Sequence, residues 1–161
     1  MSTWTIREIE SKDNQEVKKL IQDVLVEMDA PKEGTAYEDK SLDDMTETYS
    51  ERGNVYFVVE ENDKIIGGAG IAPLVGMELE VCELQKMYFL PEARGRGIGM
   101  EMINQCLEFA RKNGFEKCYI ETLPSMENAR RLYEKSGFII LPGPMGNTGH
   151  YNCSVFLLKD I

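Results

Sequence analysis

Apolar residues recur along the chain with two periods, and the alternation between them lays out the elements. The opening segment WTIREIE alternates as a strand does, and Asp13 with Glu16 three residues on makes a capping-box-like helix start. Val17, Leu20, Ile21, Val24, Leu25 and Met28 then follow at the i, i+3, i+4, i+7, i+8, i+11 spacing of one buried helix face. From Asp29 to Gly53 the pattern dissolves into acidic, turn-rich sequence, which reads as a solvated face or mobile loop with a short helix over about 42–49. NVYFVVEENDKIIGGAGIAPL reads as two strands joined by the E-N-D-K turn, and ELEVCELQKMYFL as a third that ends at Pro91, together an antiparallel meander. Gly99, Met102, Ile103, Cys106, Leu107 and Ala110 share the next helix face, closed by Asn113-Gly114. FEKCYIE predicts a strand, SMENARRLYEKSG a helix stopped by Gly137, and FIIL and HYNCSVFLL two final strands. The order β-α-α-β-β-β-α-β-α-β-β describes an α/β fold with a mixed, mostly antiparallel sheet.

Length and composition narrow the picture. The 161 residues suit one domain spanning 1–161, and 42% hydrophobic with 29% charged residues is globular composition. No run of 18 apolar residues and no basic-then-apolar leader at the N-terminus predict a soluble, cytoplasmic protein with no membrane partner. Lys plus Arg number 18 against 28 Asp plus Glu, and a net charge of -10 disfavours nucleic acid as a partner. Cys82, Cys106, Cys118 and Cys153 stand far apart and only one His is present, so neither a disulfide framework nor a metal is expected.

One turn carries chemistry. RGRGIG lies between a predicted strand and a helix, where the N–H groups of a helix N-terminus hold phosphate oxygens and glycines let the backbone approach them. A P-loop needs Lys-Ser or Lys-Thr after its last glycine, and Gly99 is followed by Met100 and Glu101. A dinucleotide fingerprint fails as well, because counting from Gly95 and Gly97 the third glycine falls at 99 where G-x-G-x-x-G needs 100. Arg94 and Arg96, in so acidic a protein, mark a local anion site.

PEARGRGIG resembles the R-x-x-G-x-G motif of the GNAT N-acetyltransferase superfamily through Arg94, Gly97 and Gly99, with QKMYFLP as the strand before it. NARRLYEKSGF resembles the next motif of that family, an Asn followed five residues later by Tyr and then by Gly-Phe. The element order agrees from Thr5 to Leu158. CELQKMYFLPE and the tail GNTGHYNC also resemble the acetyltransferase half of bacterial proteins fused to a MarR-type winged helix. The resemblance implies a central sheet of about seven strands with helices on both faces, splayed so that acyl-CoA lies in a slot. It implies acetyl-CoA as cosubstrate, an amine of small-molecule or peptide type as acceptor, and, as often in the family, a homodimer.

Site residues follow by the same carry-over. The pyrophosphate would lie on the N–H groups of Arg94, Gly95, Arg96, Gly97, Ile98 and Gly99, and the pantetheine along Met87, Tyr88 and Phe89, where a strand bulge opens the slot. Asn128 would bind pantetheine, Tyr133 would act as general acid toward the departing thiolate, and Met87 N–H would polarise the thioester carbonyl. Glu83 stands four residues before Met87, on the same face by the period of two, and matches the general-base position of several members. Arg131 and Lys135 could reach outlying phosphates. His150, opening the last strand, is a candidate acceptor contact or second base, and Cys153 would face the opposite side. The acidic stretch from Glu33 to Asp44 favours a cationic acceptor. The competing reading is a noncatalytic acyl-CoA-binding module, which would need neither acid nor base.

Overall fold

Asn62 and Asp63 both take left-handed backbone, with φ of 52° and 63°, and so close the tight turn between β2 (Val55–Glu61) and β3 (Lys64–Pro73). The computed structural model describes residues 3–161. Its remaining strands are β1 (Trp4–Glu8), β4 (Val81–Phe89), β5 (Lys117–Thr122), β6 (Ile139–Ile140) and β7 (Val155–Asp160), and its helices α1 (Asn14–Glu27), α2 (Met45–Thr48), α3 (Ile98–Lys112) and α4 (Glu127–Lys135). The seven strands form one sheet in the order β1-β2-β3-β4-β5-β7-β6. Every neighbouring pair is antiparallel except β4 with β5.

Two apolar layers cover the sheet. On one face Ile98, Met102, Ile103, Cys106, Leu107 and Ala110 of α3 pack on Phe57, Val59, Ile66 and Cys82, with Tyr133 of α4 in the same cluster. On the other, Val17, Leu20, Ile21, Val24 and Leu25 of α1 pack on Tyr56, Val58 and Ile65. Each such side chain contributes on the order of 1.5–3 kcal/mol when fully buried. Among the described residues no helix is long and apolar enough to cross a membrane.

Three sequence expectations are corrected. Asp13 does not pair with Glu16: the capping box is Glu10 with Asp13, around a 3-10 turn at Ser11–Asp13. The Asp13 carboxylate accepts the Glu10 N–H at 2.8 Å and two bonds from Arg7 at 2.8 and 3.0 Å, while Glu16 accepts the N–H of Ile65 at 2.8 Å and ties α1 to the sheet. The stretch after α1 is solvated only in part, and its expected short helix is α2. Thr35, Ala36, Leu42, Met45 and Tyr49 are buried beneath α1, at irregular spacing that no helix or strand period reveals. The last strand begins at Val155, so His150 and Cys153 lie in the loop before it.

The parting of β4 from β5 creates the site. Their pairing runs only from Val81–Lys117 to Glu83–Tyr119 and then stops. Against β3, Gln85 faces Gly70 and Tyr88 faces Gly68, so Lys86 and Met87 together stand opposite Ala69. That is a bulge, with Lys86 at φ 51° and its carbonyl accepting the Tyr56 hydroxyl at 2.8 Å. Neither Lys86 nor Met87 has a ladder partner on β3 or β5.

Candidate active site

Beyond the bulge a cleft of about 580 Å³ runs between Met87, Tyr88 and Phe89 on one side and the start of α4 on the other, and reaches the Arg94 to Gly99 turn. An inner recess of about 50 Å³ adjoins it and shares Met87, Tyr88 and Met126 as walls. Glu83, Lys86, Tyr133, His150 and Cys153 line that recess. Of these, Glu83, Tyr133, His150 and Cys153 were named from the sequence, and the fold brings them together from β4, α4 and the loop before β7.

The glycine turn is open where an anion would sit. Gly95 and Gly97 have φ of 73° and 81°, and a Cβ built on either would meet nothing within 4 Å. Gly97 caps α3, so the first N–H groups of that helix have no intrahelical partner and face the cleft end. Gly99 has a different reason: a Cβ there would come within 2.6 Å of Leu132 Cδ2, so it lets α3 and α4 approach. Ile98 is buried in the core and does not line the cleft. The guanidinium groups do not form the anion site expected from their charge. Arg94 grips Glu27 of α1 at 2.7 and 2.9 Å and the Phe89 carbonyl at 2.8 and 3.1 Å, and Arg96 grips Glu61 at 2.6 and 3.1 Å. Both pin the turn to its surroundings, and the residues that fit a pyrophosphate are backbone groups.

Glu83 is 6% exposed. Burial pushes its carboxyl up to about 7, against the pull of the Gln85 amide that donates to Oε1 at 2.7 Å, while the nearby Glu121 charge raises it further. Gln85 in turn accepts the Tyr49 hydroxyl at 2.6 Å, which fixes its amide orientation. The face assignment of Glu83 is corrected by the bulge. Two residues opposite one reset the alternation, so the Met87 side chain packs with Cys82 and Leu84 while Glu83 shares its face with Gln85. What Met87 would offer the cleft is its N–H, which does not depend on that choice.

Tyr133 is 4% exposed, its ring edge-on to Phe138 at 6.1 Å, and burial raises its hydroxyl well above the ordinary phenol range. It therefore stays protonated and able to donate. Asn128 lines the outer cleft at the start of α4, one face of which carries Leu132 and Tyr133 inward. Lys135 also borders the cleft, whereas Arg131 is exposed and pairs with Glu127 at 3.8 Å.

His150 Nε2 lies 2.8 and 3.0 Å from the two Asp39 oxygens. Desolvation opposes its charge, but Asp39 prevails and lifts the imidazole to about 10. Lys86, with 7% of its side chain exposed, reaches the same carboxylate at 3.3 Å. Cys153 does not face away from His150: its N–H donates to the His150 carbonyl at 3.1 Å, a turn that presents both side chains to the recess. No periodicity or motif pointed to Asp39 or Tyr49, which lie in the irregular stretch after α1. Gln85 carried one, being two residues from Glu83 on one strand.

Comparison with known proteins agrees with this geometry. The model of the acetyltransferase (GNAT) family matches residues 20–138. YjgM, an uncharacterised N-acetyltransferase of Escherichia coli K12, is 40% identical over 158 residues, 97% of this chain and 94% of that protein. A GNAT-family acetyltransferase of Staphylococcus aureus Mu50 shares the fold with a TM-score of 0.86 at 17% identity, covering 98% of this chain and 99% of that one. The acetyltransferase yncA of Salmonella typhimurium, solved with acetyl-CoA, has a TM-score of 0.78 at 19% identity over 99% of this chain and 94% of that one. The narrower resemblance to MarR-type fusions finds no support among these relatives. With the splayed sheet, the open glycine turn and a family match over most of its length, the chain belongs to the GNAT acetyltransferases.

Proposed function

We propose that the protein transfers an acetyl group from acetyl-CoA to a primary amine by direct attack, without a covalent enzyme intermediate. The observation that carries this reading is adjacency: the glycine-turn cleft shares Met87, Tyr88 and Met126 as walls with a recess that holds a buried carboxyl shifted to about 7. When bound, acetyl-CoA would supply the acetyl group as an activated thioester.

The chain's own groups divide the work. The N–H groups from Gly95 to Gly99 would take the pyrophosphate, and Asn128 with the strand Met87 to Phe89 the pantetheine. An alkylamine of pKa about 10.4 is neutral in roughly one part in 2,500 at pH 7, a cost of about 4.6 kcal/mol, so a base near 7 is useful. Glu83 would accept that proton, directly or through water. Met87 N–H, at the bulge where β4 parts from β5, would donate to the carbonyl oxygen, an interaction worth roughly 2.7–4 kcal/mol when preorganised. Tyr133 would donate to the departing thiolate. His150 and Lys86, both bridged to Asp39, would shape the acceptor end. A noncatalytic binder has no use for a buried carboxyl at 7 beside a buried phenol.

The test is a screen of amines, amino acids and peptides for acetyl-CoA-dependent thiol release, repeated with Glu83→Gln. Turnover by the parent that falls by about 10²–10⁴ in the variant supports the assignment. Tight acetyl-CoA binding with no turnover on any amine would favour the noncatalytic module.

A further inference from the structure

A long stretch of chain separates Glu121 on β5 from the loop residues His150 and Cys153, and the fold removes that distance. One ligand atom from each lies within 4.8 Å of the other two. An imidazole nitrogen, a thiol sulfur and a carboxylate oxygen form a donor set suited to Zn²⁺ and ill suited to Mg²⁺ or Ca²⁺. Each donor is already oriented. Asp39 engages His150 Nε2 at 2.8 and 3.0 Å, so with that contact kept Nδ1 would be the coordinating atom, in the carboxylate–histidine arrangement common behind metal ligands. Tyr119 donates to Glu121 Oε2 at 2.7 Å and the Thr148 hydroxyl donates to Oε1, so each oxygen keeps a lone pair. The Cys153 N–H bond to the His150 carbonyl holds both side chains on one side of the loop.

We propose that Glu121, His150 and Cys153 form a three-ligand Zn²⁺ site in the inner recess, with its fourth position facing the cavity. The ion takes Cys153 as thiolate and His150 as neutral imidazole, and the protons these groups carry pass to solvent. The absence of C-x-x-C spacing in the sequence is no obstacle, because a strand and a loop supply the ligands in place of a knuckle. Glu83 lines the same recess, so an ion there occupies the acceptor end. Zinc then competes with the amine and not with acetyl-CoA, a consequence that rests on the proposed acetyl transfer. Metal binding itself does not.

The test titrates the reduced, chelator-treated chain with Co²⁺, a spectroscopic stand-in for Zn²⁺. One equivalent should produce a thiolate-to-cobalt charge-transfer band that Zn²⁺ then removes. The band has one available source, since Cys82, Cys106 and Cys118 are fully buried in the core. Cys153→Ser and Cys153→Ala should abolish it while their melting stays cooperative, and His150→Gln and Glu121→Gln should each weaken Zn²⁺ binding at least tenfold. Asp39→Asn, which touches no metal, should weaken it by about 10–100-fold. No band in the parent, or Zn²⁺ binding unchanged in Cys153→Ser, overturns the site. In turnover assays Zn²⁺ should raise the apparent KM for the amine and leave that for acetyl-CoA alone. A band without this effect upholds the site and overturns the inhibition.

Discussion

Gln85 donates its side-chain amide to Glu83 at 2.7 Å, from two residues along the same face of β4. This bond lowers a carboxyl that burial raises, and the balance settles near 7. Removing it should move the balance upward. Gln85→Met keeps the volume and loses the donor, so the acidic limb of kcat/KM should shift to higher pH while Kd for acetyl-CoA holds. An unmoved limb would show that Glu83 is not the group seen in the profile.

Glu83→Gln should remove that limb altogether and lower the rate by about 10²–10⁴ above pH 7, where the parent carboxylate is ionised. Stability should respond in the opposite sense. A carboxyl whose folded value exceeds its unfolded one binds more protons when folded, so its contribution is lost as pH rises from about 4.5 through about 7. The amide does not titrate, and the variant should therefore gain stability relative to the parent between pH 5 and 8, measurable by denaturant melts across that range.

Gly97→Val places a branched side chain at φ 81° in space that is open in the parent. The backbone cost is roughly 1–2 kcal/mol. Acetyl-CoA at a hundred times Kd should stabilise the parent by about 2.7 kcal/mol and the folded variant hardly at all. Equal thermal shifts in both would remove the pyrophosphate from this turn.

The element order and the glycine turn were readable because periodicity and motif spacing are local properties. The acceptor end was not, for two physical reasons. Asp39 and Tyr49 sit in a segment whose buried residues follow no repeat, since 3-10 turns and a single α turn carry them inward one at a time. The bulge at Lys86 then breaks the period of two that placed Glu83 and Met87 on one face, although the bulge itself was expected from the family resemblance. His150 was misread for a related cause: a β-like sequence before Val155 forms loop because only residues from Val155 onward pair with β5.

Tyr133→Phe keeps the ring against Phe138 and removes only the hydroxyl. It should lower kcat and leave Kd for acetyl-CoA within about twofold, since the proposed bond forms with a thiolate that exists only late in the reaction. Acceptors need not be varied to see this; a fall in affinity in place of rate would assign the hydroxyl to ground-state binding.

His150 and Asp39 make the most pH-dependent pair in the recess. The imidazole is raised from 6.5 to about 10, chiefly by Asp39 against desolvation, so its contribution to stability is complete below about 6.5 and fades as pH rises through 10. The Asp39 carboxyl is depressed by His150 and Lys86 against its own desolvation, so its contribution is present above about 3.8 and fades in acid. His150→Gln should thus cost roughly 0.5–3 kcal/mol at pH 6 and progressively less toward pH 10. The loss stays moderate because Lys86 remains 3.3 Å from Asp39 and keeps that carboxylate paired. Lys86→Met alone should cost less at pH 6, while the double variant should exceed the sum of the two, having left the half-buried Asp39 without a cation. Melts of the four proteins at pH 6 and pH 9.5 decide it. Strict additivity at pH 6 would mean that the two cations do not share one carboxylate in solution.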